Sequence, residues 1–281
     1  MTIASYLIVL IPVALLAQEA QSTEGSAQWH RDTGLAYYRA GKIELTLEHL
    51  QKAIRLDPSI EQYYLDLGEV LARNNAREAV VIVFEAAQKV LPESFRIQSA
   101  LGVAYLTVRN YERAKQVFTG VVRMKPSDEF GYQMLAECHD ITQDWDATAT
   151  IAERLRTLNP KNSQGWYYGA TAEFGIRRPR GESLALAESH VRRAVELAPG
   201  DWRPPLLLGK LLADSHRDRE AVTALRKAIA LKSGDPKTYY ILGQALKRLG
   251  QNKESVEAFK AYEEARTRQA ASQRTLLVDI Q

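Results

Sequence analysis

Apolar residues recur three or four positions apart through most of the chain, from about residue 27 onward. This spacing places apolar side chains on one face of a helix. In the segment Leu101–Pro126, Leu101 and Tyr105 share a face of one predicted helix, and Ala114 and Phe118 share a face of the next. Short polar stretches separate such segments. The pattern therefore predicts pairs of amphipathic helices joined by turns.

Small residues mark the same place in each predicted pair, at intervals of 34, 34, 34, 34, 39 and 34 residues. The marks are Gly34, Gly68, Gly102, Ala136, Ala170, Gly209 and Gly243. A proline precedes five of these marks by ten residues, at Pro58, Pro92, Pro126, Pro160 and Pro199. Two markers that keep one phase indicate an internal repeat, which neither a four-helix bundle nor a coiled coil would produce.

Each marker has a physical role within its pair. Gly102 and Ala114 have almost no side chain, so the two helix backbones approach closely there. Proline cannot continue a helix interior, so Pro126 ends the second helix of its pair. Ser59 and Gln62 have the spacing of a capping box at the start of the second pair. Because one pair cannot bury its apolar face alone, the pairs are expected to stack into an all-α solenoid.

The third pair, Leu101–Pro126, carries the full pattern and resembles the tetratricopeptide repeat (TPR). The resemblance covers residues 27–266 and implies a right-handed α-solenoid of about seven helix–turn–helix repeats. Individual pairs depart from the pattern, and the first has Thr33 where leucine is expected. Thr46 stands where alanine is expected, and the fifth pair has Gly169–Ala170 in place of leucine and glycine. The turn at Asn74–Asn75 looks one residue short, which puts Ala79 slightly out of phase.

The interval of 39 residues reflects five extra residues in the stretch EFGIRRPRGES, which is Glu173–Ser183. The second helix after it has normal spacing, so the extra residues are predicted in the turn between the two helices of the fifth pair. Three arginines, Arg177, Arg178 and Arg180, would then project from an edge of the solenoid. Two interpretations remain open: a site for an acidic partner or a phosphate, or a solvated turn.

Both ends of the chain differ from the repeat. Ile3–Ala17 contains no charge and ends in small residues, which predicts a signal peptide over residues 1–17 and a linker over 18–26. No lysine or arginine precedes the apolar run, so a membrane anchor and a buried helix of a cytosolic protein stay open. Residues 267–281 are predicted to be a C-terminal tail, or a cap formed by apolar residues at its end.

Composition narrows the chemistry. The chain has 281 residues, a formal net charge of +3 and 25% charged residues, which argues against a dedicated nucleic-acid binder. The single cysteine, Cys138, excludes an intramolecular disulfide and a cysteine-based zinc site. The five histidines lack metal-binding spacing, and no phosphate-binding glycine loop is present. We therefore expect no catalytic residue, no metal and no cofactor.

The family resemblance implies a concave groove lined by the first helix of each pair, which would bind a peptide or an extended protein segment. Repeat phase predicts the exposed groove residues Phe130, Gln133, Glu137, Tyr167, Thr171, Phe174, Lys210, Tyr240 and Lys247. Several of these rings could instead pack between neighbouring first helices. The subclass that clamps chaperone tails is not supported, because its lysine and asparagine positions hold Leu65, Ser99, Gln133 and Tyr167.

These features favour a non-enzymatic, periplasmic or secreted scaffold that binds a protein or peptide. Two alternatives stay open: a membrane-anchored assembly factor with the solenoid outside the cytoplasm, and an accessory subunit of an envelope enzyme complex. In either case the membrane would be reached only through an uncleaved N-terminal segment. Metal binding is not expected, and nucleic-acid binding is disfavoured.

Overall fold

The structure is a computed structural model that describes residues 25–231 and 234–278, with side chains described through residue 271. The predicted signal peptide, residues 1–17, lies outside the described residues. The described ranges contain one short 3-10 helix, Arg178–Arg180, and no strand. Their fourteen α-helices are α1 Ala27–Arg39, α2 Ile43–Leu56, α3 Glu61–Arg73, α4 Arg77–Val90, α5 Phe95–Thr107, α6 Tyr111–Met124, α7 Glu129–Ile141, α8 Trp145–Leu158, α9 Ser163–Arg177, α10 Ala185–Leu197, α11 Arg203–Asp214, α12 Asp218–Ala230, α13 Pro236–Arg248 and α14 Asn252–Val278.

The helices follow one another as seven pairs, in the phase that the sequence predicts. The chain divides into two compact units, Met1–Cys138 and His139–Gln281, called the N-terminal and C-terminal units below. Within each unit, helices pack mainly on their neighbours in sequence. Contacts that skip a helix join first helices of successive pairs: α3 with α5, α9 with α11, and α11 with α13. The predicted all-α repeat solenoid is confirmed, and its first helices form a shared face within each unit.

The two helices of a pair meet where a small residue faces a large one. A Cβ added at Gly102 in α5 would lie 2.6 Å from the ring of Phe118 in α6, which is fully buried. The same close contact joins Gly68 to Phe84, Gly209 to Leu225 and Gly243 to Phe259. The predicted role of the small-residue marks, close approach of two backbones, is therefore confirmed.

Polar residues replace alanine in three second helices without leaving a hydroxyl group unsatisfied. Thr46 and Thr148 are fully buried, and each hydroxyl donates to the carbonyl four residues earlier, at 2.9 and 2.8 Å respectively. The hydroxyl of Ser255 donates across the pair to the carbonyl of Gly243 at 2.8 Å. Because a buried polar group needs a hydrogen-bond partner, these local bonds explain why the pattern tolerates threonine and serine here.

Six pairs use the same three-residue turn, with a left-handed residue in its middle. In the third pair, the Arg109 amide donates to the Leu106 carbonyl at 3.0 Å, and the Asn110 amide donates to the Tyr105 carbonyl at 2.8 Å. The residues with positive φ are Gly41, Asn75, Arg109, Gln143, His216 and Gly250. The predicted shortening of the second turn is wrong, because Val80 holds the in-phase buried position.

The capping box predicted at Ser59 and Gln62 is also wrong. The helix α3 begins at Glu61, and its N-cap residue, Ile60, offers no side-chain hydrogen bond. The Ser59 hydroxyl donates instead to a carboxylate oxygen of Asp57, at 2.6 Å. Because the helix begins two residues after Ser59, the serine is not at the N-cap position that a capping box requires.

The five extra residues of the fifth pair are mostly helical. The helix α9 extends to Arg177, and the 3-10 helix Arg178–Arg180 continues it. Gly181, at φ 64°, then ends the segment, and the Glu182 amide donates to the Arg177 carbonyl at 3.1 Å. The prediction that the extra residues lie in the turn is correct in part: α9 is two residues longer than α7, and seven residues, 178–184, connect it to α10 where the other pairs have three.

The last helix exceeds its predicted end. The predicted solenoid ends at residue 266, whereas α14 continues to Val278, so most of the predicted tail is helical. Its side chains beyond residue 271 lie outside the description, so the cap hypothesis stays a prediction. None of the described helices is long and apolar enough to cross a membrane.

Candidate protein-binding surfaces

The first helices of the C-terminal unit enclose a cavity of about 580 Å³, called the C-terminal cavity. The helices α9, α11 and α13 form most of its wall, and residues beside the fourth turn complete it. Its larger apolar lining residues are Trp145, Tyr167, Phe174, Trp202, Leu206, Leu207 and Ile241. Its charged lining residues are Asp140, Arg178, Arg203, Lys210, Asp235 and Lys237. The cavity thus combines a broad aromatic surface with several cations.

Two arginines of the cavity are held by carboxylates and lie over aromatic rings. The Arg203 guanidinium donates three hydrogen bonds to the Asp201 carboxylate, the shortest at 2.7 Å, and lies 5.4 Å from the centre of the Tyr167 ring. The Asp201 carboxylate also raises the pKa of Arg203. Arg178 forms an ion pair with Asp214. These pairs hold both guanidinium groups in place.

Lys210 has a different environment. Its ammonium lies 4.7 Å from the centre of the Phe174 ring, and the Arg178 guanidinium lies 5.5 Å from the same ring. Loss of water around the ammonium lowers the pKa of Lys210, and the nearby charges of Arg178 and Lys237 lower it further. The local surroundings therefore disfavour the protonated lysine.

Asp140, from the end of α7, contributes a carboxyl group to the cavity. Burial raises the pKa of Asp140, although Thr171, Lys210 and Arg203 each favour its charged form. The two opposing shifts have the same physical cause, which is that each group is less well solvated in the cavity than in water. A ligand that forms an ion pair with either group would replace part of the solvation that the group loses in the cavity.

Four predicted groove residues line this one cavity: Tyr167, Thr171, Phe174 and Lys210. The expected exposure of two of them is wrong, because Thr171 and Phe174 are buried at 8% and 7% relative exposure. The cations of Lys210 and Arg178 lie over the Phe174 ring, so side chains of a neighbouring helix and turn help to shield it. Repeat phase identifies the helix face but not such neighbours.

The remaining C-terminal predictions lie outside the cavity lining. Tyr240 and Lys247 are exposed on α13. The Tyr240 ring packs against Phe259 and Tyr262 of α14, with ring centres 5.8 and 5.4 Å apart. The Tyr240 ring therefore packs partly against the neighbouring helix, which was one of the two open interpretations of the aromatic groove residues.

Sequence reasoning missed other cavity residues, notably Asp140 and Trp145. Trp145 begins a second helix, and its ring packs where a Cβ at Gly175 would lie only 2.4 Å away. Asp140 falls late in a first helix, at a place where the third pair has Leu106. A carboxylate at an apolar repeat position was the available signal for Asp140.

The N-terminal unit has its own opening of about 650 Å³ on the first-helix face, called the N-terminal groove. Its lining includes Leu65, Ser99, Val103 and Phe130 and is predominantly apolar. Phe130 is 40% exposed, and its ring meets that of Phe118 edge to face, with centres 6.3 Å apart. Its exposure was predicted correctly.

Two neighbouring predictions on α7, Gln133 and Glu137, are half-buried and lie outside the lining of the N-terminal groove. The groove therefore receives from α7 the Phe130 ring rather than the polar residues that follow it.

The arginine-rich segment forms ion pairs with carboxylates of its own unit. Arg177 pairs with Glu173 at 2.5 Å and with Glu182 at 3.2 Å, whereas Arg178 pairs with Asp214. Arg180 is the most exposed of the three and lies 3.9 Å from Glu182. These contacts favour a structural role for Arg177 and Arg178, which join the extended α9 segment to its surroundings.

The described residues show little that points to catalysis. Burial raises the pKa of Cys138 to about 12, so its thiol is not a ready nucleophile. No group of three histidine, cysteine, aspartate or glutamate side chains among the described residues is arranged to hold a metal ion.

Comparisons with known proteins agree with the repeat pattern. Family models described as "TPR repeat" and "Tetratricopeptide repeat" match residues 34–75, 95–128 and 206–271. A tetratricopeptide repeat protein from Parabacteroides merdae has a similar structure, with a TM-score of 0.68 at 14% identity over 91% of this chain and 99% of that chain. The C-terminal part of a TPR repeat-containing protein from Cytophaga hutchinsonii gives a TM-score of 0.59 at 15% identity, over 82% and 93% of the chains.

Two curated relatives are similar to this chain over only part of their own length. The BBSome complex member BBS4 of Mus musculus is 23% identical over 152 residues, which are 54% of this chain. ETO1-like protein 1 of Arabidopsis thaliana is 25% identical over 198 residues, which are 68% of this chain. The chain spans 29% and 21% of the lengths of these proteins, so the likeness concerns the repeats. Repeat phase, helix pairing and family matches lead to one conclusion: the chain is a tetratricopeptide-repeat protein.

Proposed function

We propose that the chain is a non-enzymatic, exported scaffold that binds an extended segment of a partner protein on its first-helix face. The observation that carries this proposal is the C-terminal cavity, where Tyr167, Leu206 and Ile241 of three first helices line one opening. Large rings next to polar groups supply much of the binding free energy at protein interfaces.

The cavity is built on helices, which limits the entropy lost when a ligand binds. The Arg203 side chain is held by Asp201, and Tyr167 lies beneath it. A surface held in this way before binding loses less side-chain freedom than a flexible loop would. Most of the entropy lost on binding is therefore that of the partner segment.

The binding site can be tested by photo-crosslinking in the full chain. A benzoylphenylalanine placed at Tyr167 should form a covalent adduct with a specific partner, because the side chain lines the cavity. The matched control is the same residue at Val256, which is 69% exposed on α14. Equal adducts from both positions, or specific adducts from Val256 alone, would contradict the proposal.

Export is supported by the uncharged stretch Ile3–Ala17 and its small residues at the end. N-terminal sequencing of the protein from soluble and membrane fractions tests it. A soluble protein that begins near Gln18 supports export, whereas an intact N-terminus in the membrane fraction supports the anchored assembly factor. Recovery of intact Met1 in the cytosol would contradict both.

An accessory subunit of a larger complex is the second candidate. The similarity to BBS4, which is described as a member of the BBSome complex, favours this alternative. It predicts that the adduct formed at Tyr167 contains a subunit of a stable assembly, which co-purifies with the chain in constant ratio. A partner that binds and releases on dilution would favour the scaffold instead.

A further inference from the structure

Two cations of the C-terminal cavity lack the carboxylate partners that the others have. Arg178 is paired with Asp214, and Arg203 is paired with Asp201. Lys210 on α11 and Lys237 on α13 form no such ion pair within the part of the chain whose side chains are described. The cavity therefore holds two ammonium groups that a ligand could neutralise.

Three carboxyl groups act on Lys210 without forming an ion pair with it, and one of them, Asp214, is paired with Arg178. Asp235 accepts a hydrogen bond from the backbone amide of Lys237 at 2.9 Å and caps the start of α13. Burial raises the pKa of Asp140, so its surroundings stabilise the carboxylate less well than water does. None of these carboxyl groups forms an ion pair with Lys210 like the one between Asp201 and Arg203.

The charge environment of Lys210 favours a bound anion. Loss of water and the neighbouring Arg178 and Lys237 charges lower the pKa of Lys210 more than Asp214 and Asp235 raise it, and a further carboxylate beside the ammonium would offset this effect. The attraction is strengthened because the site is partly shielded from water by the Phe174 ring.

Apolar surface adjoins the two lysines and restricts the type of anion. Leu206 precedes Lys210 by one helical turn, and Ile241 follows Lys237 by one turn on the next first helix. Tyr167 faces the same cavity from α9. A small hydrated anion would leave the apolar surface uncovered. A peptide with acidic and apolar side chains would neutralise the lysines and also cover that surface.

We propose that the C-terminal cavity binds an acidic segment of a partner protein, with a glutamate or aspartate carboxylate between Lys210 and Lys237 and an adjacent apolar side chain against Tyr167 and Leu206. This inference rests on the proposed function and adds the chemical class of the partner segment.

The test begins with a library of random dodecapeptides displayed on phage and selected against the full chain. Enriched peptides should contain aspartate or glutamate next to a large apolar residue. One enriched peptide is then synthesised with a fluorophore, and its affinity is measured by anisotropy. Lys210→Gln combined with Lys237→Gln should weaken binding by roughly fivefold, because two partly exposed charge pairs are lost.

The matched control is Lys227→Gln combined with Lys260→Gln, which removes the same charge from exposed positions on α12 and α14. This control should leave the affinity unchanged within about twofold at low salt, where exposed charges are least screened. The loss in the cavity variant should shrink as salt is raised, since salt screens exposed charge pairs.

Three outcomes would overturn the inference. Enriched peptides without acidic residues, or equal affinity for the lysine variant and its control, would exclude the acidic segment. Tighter binding when the glutamate is replaced by phosphoserine would assign the site to a phosphopeptide. In each case Tyr167→Ala separates the two proposals: if it still weakens binding, the cavity is a peptide site of another chemistry, and if it does not, the proposed function fails as well.

Discussion

At the scale of single residues, the turns between paired helices store strain. Arg109, Gln143 and His216 adopt positive φ at a place where Gly41 and Gly250 do so in other pairs. A residue with a side chain is destabilised in this region by about 1–2 kcal/mol relative to its usual conformations. Two backbone hydrogen bonds to the end of the first helix hold the turn in this conformation despite the strain.

Replacing Arg109 with glycine should therefore stabilise the protein. The relief of strain exceeds the entropy that glycine adds to the unfolded chain, so we expect a gain of about 0.5 kcal/mol in the free energy of unfolding. Urea denaturation measures it. The control Gly41→Ala, at φ 72°, should lower stability. A destabilised Arg109→Gly variant would show that the arginine side chain stabilises the turn.

A histidine pair in the first helix pair makes stability depend on pH. The Nδ1 atoms of His30 and His49 lie 3.1 Å apart, so one of them must be unprotonated for a hydrogen bond. Burial and the nearby His30 lower the pKa of His49, and Lys52 lowers it further, whereas Glu48 raises it. The folded protein thus favours the neutral ring.

Because the folded pKa lies below the unfolded one, the unfolded state takes up the proton more readily as pH falls. We expect the melting temperature to decrease as pH is lowered from about 7.5 to about 5.5, through the usual histidine range. The variant His49→Gln should show a smaller decrease. Identical pH profiles for the variant and the parent would mean that this pair does not contribute.

At the scale of helices, several pairs depend on a glycine that faces a large side chain. A methyl group at Gly102 would lie 2.6 Å from the buried Phe118 ring, which cannot move without disturbing its neighbours. Gly120 in α6 is a matched contrast, since a Cβ there would meet nothing within 4 Å. Alanine substitutions at the two sites therefore distinguish the effect of packing from the effect of helix propensity.

We expect Gly102→Ala to lower the free energy of unfolding by about 1–3 kcal/mol, the usual effect of overpacking a core. Gly120→Ala should raise it by up to about 1 kcal/mol, because alanine favours the helix. Chemical denaturation of both variants gives the comparison. If Gly102→Ala were as stable as Gly120→Ala, the contact between the helices would be looser than the structure shows.

The sequence was most informative about helix pairing. Two independent markers, the small residues and the prolines, kept one phase, so both the number of pairs and the position of the long fifth segment could be predicted. The capping box predicted at Ser59 is wrong because α3 begins at Glu61, with Ile60 as its N-cap residue. The spacing of serine and glutamine does not fix the residue at which a helix begins.

At the scale of the whole molecule, each unit presents a surface that no single repeat contains. The C-terminal cavity combines residues from three first helices, so the exposure of Phe174 depends on Lys210 and Arg178 as well as on its own helix. Sequence phase therefore identified the face and several of its residues, but not which rings are covered. Such coverage follows from side-chain packing between successive pairs.

The most direct test of a binding role for the C-terminal cavity is the affinity of the Leu206→Glu variant for a partner or peptide that binds the parent chain. Leu206 is half-buried in the cavity wall, so a carboxylate there should repel an acidic segment and remove apolar contact area. We expect a loss of roughly tenfold or more. Val256→Glu, on the exposed face of α14, should bind like the parent. A helical, folded Leu206→Glu variant with parental affinity would contradict the account.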